Sequence, residues 1–147
     1  MKIAALLLAI ALFTPLNTLA QSTLALSCPD VAKIEAWRLR GEMWHCPSKD
    51  GYSYVVVVFL TKNAQERMAE ILESTPEALF MVDDCRVRAK HIQILANGQL
   101  VPSDSPTSDT FRGELAIISR KTKEGAFAAA KQICPDKAPT VMLTDGS

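Results

Sequence analysis

Residues 52–61, Tyr52-Ser53-Tyr54-Val55-Val56-Val57-Val58-Phe59-Leu60-Thr61, decide the fold. Four consecutive β-branched residues, flanked by aromatics, resist a helix and suit a pleated surface. Because the run is apolar on both faces, it predicts a central strand covered on both sides. Just upstream, Pro47-Ser48-Lys49-Asp50-Gly51 carries an Asp-Gly turn signal. Before that turn, Trp37, Leu39, Gly41 and Met43 alternate with Arg38, Arg40 and Glu42. This is period two with one wet face, a strand over 37–46, and the two strands are expected to pair as a hairpin.

Further upstream, Ser27 can cap a helix with Pro29 in its first turn and Asp30 following, and Val31, Ile34 and Trp37 recur at helical spacing. A short helix over about 29–35, running into the 37–46 strand, is the expectation. Trp37 and Trp44 have opposite parity on that strand, so one belongs to the core and the other to the far face, as a candidate contact anchor.

Downstream, Asn63 and Glu66 have the spacing of a capping box, and Ala64, Met68, Ile71 and Leu72 continue a helical period to Ser74, where Thr75-Pro76 stops it. Leu79 to Val82 is a short strand and Arg86 to Leu95 a longer one. Asn97-Gly98 is a two-residue hairpin turn, and Leu100-Val101 begins the return. Residues 102–110 have no apolar side chain except proline and form an exposed loop. A strand over 113–119 and a helix from Thr122 to about Cys134 follow, with Phe127, Ala130 and Ile133 on its buried side. Hairpins outnumber helical crossovers. The expected fold is therefore α+β: a mainly antiparallel sheet of four to five strands, two main helices on one face, stapled by disulfides.

The N-terminus fixes the expected compartment. Lys2 precedes an apolar run from Ile3 to Phe13, Pro15 and Asn17 break it, and Thr18-Leu19-Ala20 places small residues at the minus-three and minus-one positions. This has the pattern of a cleavable signal peptide, 1–20, with the cut near Ala20. The run is about half of the roughly 20 residues a membrane span needs, and Ala25 stands where a lipobox before Cys28 would have leucine. Removing residues 1–20 from the 147 leaves 127, organised as one domain over 21–136 and a loose C-terminal tail over 137–147.

The whole chain carries 16 basic and 16 acidic side chains. That balance excludes the basic footprint of a nucleic-acid binder. No other apolar stretch is long enough for stable membrane insertion. Four cysteines in an exported chain, Cys28, Cys46, Cys85 and Cys134, predict two disulfides. Three of them precede proline, so the bridges should staple element ends. The expected pairs are Cys28–Cys46 and Cys85–Cys134. The second rests on the last helix running back to the level of a neighbouring strand start.

Catalytic motifs are scarce. There is no G-x-S-x-G elbow, P-loop or dinucleotide fingerprint, and no C-x-x-C spacing for zinc. Asp83-Asp84 reads as an exposed turn, and Asp104 and Asp109 lack the ligand spacing of a calcium loop. No metal and no cofactor are expected. His45 and His91 are the two histidines, and as an acid/base pair beside Lys90 they would suit a small secreted hydrolase or nuclease. Arg38 and Arg40 alternate on one strand, and Arg86, Arg88 and Lys90 on another, which predicts a basic stripe where the strands share a sheet face. With Ser103, Asp104, Ser105 and Asp109 of the polar loop, these residues form the candidate binding set. The reading is a periplasmic or secreted, non-catalytic protein that binds a protein partner, as an inhibitor or immunity protein acting on an envelope or extracellular macromolecule. The alternatives are the two-histidine hydrolase and an accessory subunit of an envelope complex.

Overall fold

The computed structural model describes residues 22–40, 52–82, 85–103 and 114–145. In chain order the elements are β1 (Ser22–Leu26), a 3-10 turn (Cys28–Asp30), β2 (Val31–Arg40), β3 (Tyr52–Leu60), α1 (Lys62–Ser74), β4 (Ala78–Val82), β5 (Cys85–Ala89), β6 (Ile92–Ala96), β7 (Gln99–Val101), β8 (Leu115–Arg120), α2 (Lys123–Ile133), a second 3-10 turn (Pro135–Lys137) and β9 (Met142–Thr144). The fold is α+β with a disulfide. Its strands divide over three sheets: a four-stranded sheet in the order β8-β3-β2-β9, a three-stranded sheet β1-β6-β7, and the isolated pair β4-β5.

The valine-rich run is β3, central in the larger sheet between β2 and β8 and antiparallel to both. Its inward row of Val56, Val58 and Leu60 joins Ile34 and Ala36 of β2 and Ala116 and Ile118 of β8 in one core. Against that row lies α2, through Ala126, Ala129, Ala130 and Ile133, while α1 contributes Ala64 and Met68. The smaller sheet closes the core with Leu24, Leu26, Ile92, Ile94, Ala96 and Val101. On the outward row of β3, Val55 is buried while Val57 and Phe59 are half-buried.

Val31 to Asp30 is where the sequence expectation changes most. The helix expected over 29–35 is a single 3-10 turn, and the strand begins at Val31. The pairing of β2 with β3 steps from Val31↔Leu60 to Lys33↔Phe59, leaving Ala32 without a partner. One extra residue in a strand is a β-bulge. It sets Val31 and Ile34, three apart, on the same inward face, which imitates helical spacing. Residues 41–46 of the expected strand lie outside the described residues.

Lys90 and His91 break the strand expected over 86–95. Ala89 and Ile92 are both buried, so the inward phase slips by one residue there, and β5 and β6 belong to different sheets. The Lys90 ammonium donates to the Leu72 carbonyl at 2.6 Å, capping the C-terminal end of α1. The Asn97-Gly98 turn matches its sequence signal: both residues have positive φ, 52° and 77°, the conformation a tight two-residue hairpin requires. Helix α1 starts two residues earlier than the capping-box reading, with Thr61 as the N-cap residue and the Gln65 side-chain amide donating to the Leu60 carbonyl at 2.8 Å. In α2 the Thr122 hydroxyl accepts from the Gly125 amide at 3.0 Å.

The C-terminal segment, expected as a loose tail, adds β9 in parallel beside Ala36–Arg38 of β2. Lys137 anchors it by donating to the carbonyls of Cys28 and Val31, and the Asp145 carboxylate accepts from the Arg40 amide at 2.9 Å. The short apolar run Val141-Met142-Leu143 inside an otherwise polar segment was the local sign of this strand, and β2 supplies its backbone ladder.

Both expected disulfide pairs are replaced by one that joins their outer members. Cys28 and Cys134 are bridged, with Cα atoms 5.0 Å apart. Helix α2 does return to a strand start, as expected, but the strand is β2, against which α2 packs. Cys28, in the turn that leads into β2, is therefore its neighbour. Cys46 lies outside the described residues, and Cys85 opens β5.

Candidate functional site

Hairpin β4-β5 stands apart from both larger sheets. Its register pairs Leu79 with Arg88 and Met81 with Arg86. Residues directly opposite in a ladder share a face, so these four side chains form one patch. Leu79 is 61 % exposed and Met81 65 %, and Arg86 and Arg88 are exposed. Neither guanidinium makes a hydrogen bond or ion pair with a described residue. On the opposite face Phe80 stacks against His91, ring centroids 5.5 Å apart and tilted by 48°. Ala89 is buried. One face of the hairpin is thus tied to the body and the other presents apolar and cationic groups to solvent.

The remaining basic residues are not brought to this patch. Arg38 and Arg40 lie in the four-stranded sheet, so the expected stripe across a shared sheet does not form. The Arg38 guanidinium stacks on the Tyr52 ring at 3.9 Å. Lys90 is committed to the end of α1. In the polar loop, Ser103 accepts from the Ser119 amide at 3.2 Å, a structural tie between β7 and β8. Asp104, Ser105 and Asp109 lie outside the described residues, as do His45, Trp44 and the Asp83-Asp84 turn. Trp37 is on the outward face of β2, its indole N–H donating to Glu35 at 2.8 Å. Glu35 also pairs with Lys33, and the Lys33 contact foremost holds its carboxyl below the usual range.

Sequence reading found Arg86 and Arg88 but missed Leu79 and Met81. The signal was there: once a hairpin closes at residues 83 and 84, Leu79 and Met81 fall opposite the arginines, and the even-numbered Phe80 turns the other way. What hid it was reading Leu79–Val82 and Arg86–Leu95 as separate strands without pairing them across the turn.

A second cluster is structural. Asp30 accepts from the Ser27 amide at 2.8 Å and the Ser27 hydroxyl at 2.9 Å, and meets Arg67 at 2.6 Å. Arg67 also donates to the Ala25 carbonyl at 3.1 Å. Burial opposes the charged form of Asp30, but these donors together hold its carboxyl below its ordinary value. The group ties β1, the turn before β2, and α1 together beside the disulfide.

His91 lines a cavity of about 200 Å³ with Ile92, Gln93, Leu100, Pro102 and Ser103. Among the described residues its buried Nδ1 has no hydrogen-bond partner. Burial pushes the imidazole pKa below its ordinary 6.5. As the pH falls through about 6.5 the unfolded chain takes up the proton first, so stability is expected to fall from there down to the lowered folded-state value. In urea unfolding at pH 7.5 and 5.5, His91→Gln should show a smaller drop in midpoint than the parent. Equal drops would assign the pH dependence elsewhere. Among the described residues, no three of His, Cys, Asp or Glu gather as a metal site, and no helix is long and apolar enough to cross a membrane.

Comparison with protein-family models, with curated proteins and with solved structures finds no match.

Proposed function

We propose that the protein is exported and acts, without catalysis, by holding a protein partner through the exposed face of β4-β5. One observation carries this reading: two apolar side chains and two guanidiniums, unpaired among the described residues, share one solvent-facing hairpin surface. Arginine and large apolar groups are the chemistry of interface anchors. An inhibitor or immunity protein acting on an envelope or extracellular macromolecule is the form the reading takes. The hydrolase alternative has less support, since the His91 ring is packed against Phe80.

Export is supported by the signal-peptide pattern of residues 1–20 and is compatible with the Cys28–Cys134 bridge. The expected cut after Ala20 leaves Gln21 immediately before β1. Intact-mass measurement of protein recovered from outside the cytoplasm should give a chain beginning at or near Gln21, and a mass that includes Met1–Ala20 would remove the export reading.

Binding is tested by partner capture from periplasmic and extracellular fractions. Replacing Arg86 and Arg88 by alanine should weaken capture about tenfold and flatten its salt dependence, with unfolding unchanged, because exposed charges of this kind chiefly steer association. His91→Gln should leave capture as it is. A turnover lost in His91→Gln and kept in the arginine variant would reverse the assignment in favour of the hydrolase.

A further inference from the structure

Resting on the binding reading above, we propose that β5 takes its partner as an added strand: an extended peptide segment with acidic residues at every second position, laid along the free edge beside Arg86 and Arg88. Three observations lead there. The pair β4-β5 joins neither larger sheet, so among the described residues β5 has a strand partner on one side only. An unpaired strand edge offers a row of backbone donors and acceptors that another extended chain can complete. Second, Arg86 and Arg88 point to the same face two residues apart, and each is free of any ion pair with a described residue. A strand added to β5 presents its own alternate side chains on that face at the same spacing, about 4.5–5.5 Å across the ladder. Carboxylates at positions i and i+2 of the added strand therefore meet both guanidiniums, whereas contiguous acids send half of theirs to the opposite face.

Third, Leu79 and Met81 lie on the far side of the arginines from the added strand, on the same surface. They supply the apolar margin for a side chain reaching across. The same four residues do not make a membrane anchor. Two apolar side chains bury less than one fatty-acyl chain, which alone binds bilayers only marginally.

Two acetylated decapeptides of one composition separate these cases: Glu and Thr in strict alternation, and an isomer with the five glutamates contiguous. Fluorescence anisotropy with the full chain should show the alternating peptide binding at least tenfold more tightly. Arg86→Ala/Arg88→Ala should abolish the difference. Backbone pairing is read by methylating the amides of the alternating peptide, on the threonines in one version and on the glutamates in the other. A strand pairs along one edge only, so one version should lose binding and the other keep it. Equal binding of the isomers, equal behaviour of the two methylated versions, or no binding of the alternating peptide would overturn strand addition. So would capture by phosphatidylglycerol vesicles in place of the peptide. If strand addition fails while partner capture still depends on Arg86 and Arg88, the binding reading stands; if capture is indifferent to both arginines, that reading fails as well.

Discussion

Cys28→Ser with Cys134→Ala is expected to lower the stability of the folded chain by about 4–5 kcal/mol, the chain-entropy value for a loop of roughly 100 residues. The bridge spans 106 residues of sequence, nearly the whole domain, and so constrains the unfolded chain more than any local link. It also joins the turn before β2 to the C-terminal end of α2, whose inward face packs into the core. Cys134 is fully buried, which is why alanine replaces it: a serine hydroxyl there would add a desolvation cost unrelated to the bridge. For a domain whose net stability is typically about 5–15 kcal/mol, the loss is a large share of the total. Denaturant midpoints of the oxidised protein, the reduced protein and the variant measure it. Non-reducing peptide mapping should recover Cys28 joined to Cys134. An unchanged midpoint on reduction would show that the bridge constrains little.

The sequence was most readable where one residue's environment depends on its neighbours in the chain. Val55–Val58 could only be a sheet interior, the Asn97-Gly98 turn specifies its own backbone, and Thr122 as the start of α2 is a local feature; of the expected buried side of α2, Ala130 and Ile133 are buried, whereas Phe127 is half-buried and Ala126 and Ala129 take its place. Readings failed where a distant partner sets the outcome. A bulge at Ala32 exists because β3 supplies one residue fewer, and spacing alone cannot tell that from a helical turn. The strand at Met142–Thr144 has little intrinsic preference and forms because β2 has a free edge. The bridge partner of Cys28 depends on which strand α2 covers. The split between β5 and β6 was missed, although its signal is in the sequence: the apolar positions are odd at Val87 and Ala89 and even at Ile92, Ile94 and Ala96. A strand cannot change phase without a break or a bulge. The exposed patch of β4-β5 was half visible, since arginines advertise exposure but exposed Leu79 and Met81 do not.

Two single-residue deletions in β2 should therefore have opposite outcomes. Deleting Ala32 removes the residue that has no partner in β3. Val31 stays opposite Leu60, Lys33 opposite Phe59 and Ile34 opposite Val58, so every inward side chain keeps its face. Ala32 is itself exposed. The expected result is a cooperative fold that loses only about 1 kcal/mol, the typical cost of a single-residue change. Deleting Glu35 shortens the regular part of the strand instead. The bulge can absorb the missing residue, but then Ile34 moves opposite Val57 on the outward row and Lys33 moves opposite Val58, into the core. Exposing Ile34 forfeits about 1.5–3 kcal/mol, and an unpaired ammonium in the interior costs several more. The Glu35 bonds to Lys33 and to the Trp37 indole are lost as well. The deletion of Glu35 is thus expected to unfold the protein or leave it without a cooperative transition, while that of Ala32 retains both the transition and the Cys28–Cys134 bridge. Urea unfolding followed by Trp37 and Trp44 fluorescence distinguishes them. Comparable losses from both deletions would mean that the bulge, and with it the inward assignment of Val31 and Ile34 together, is misplaced.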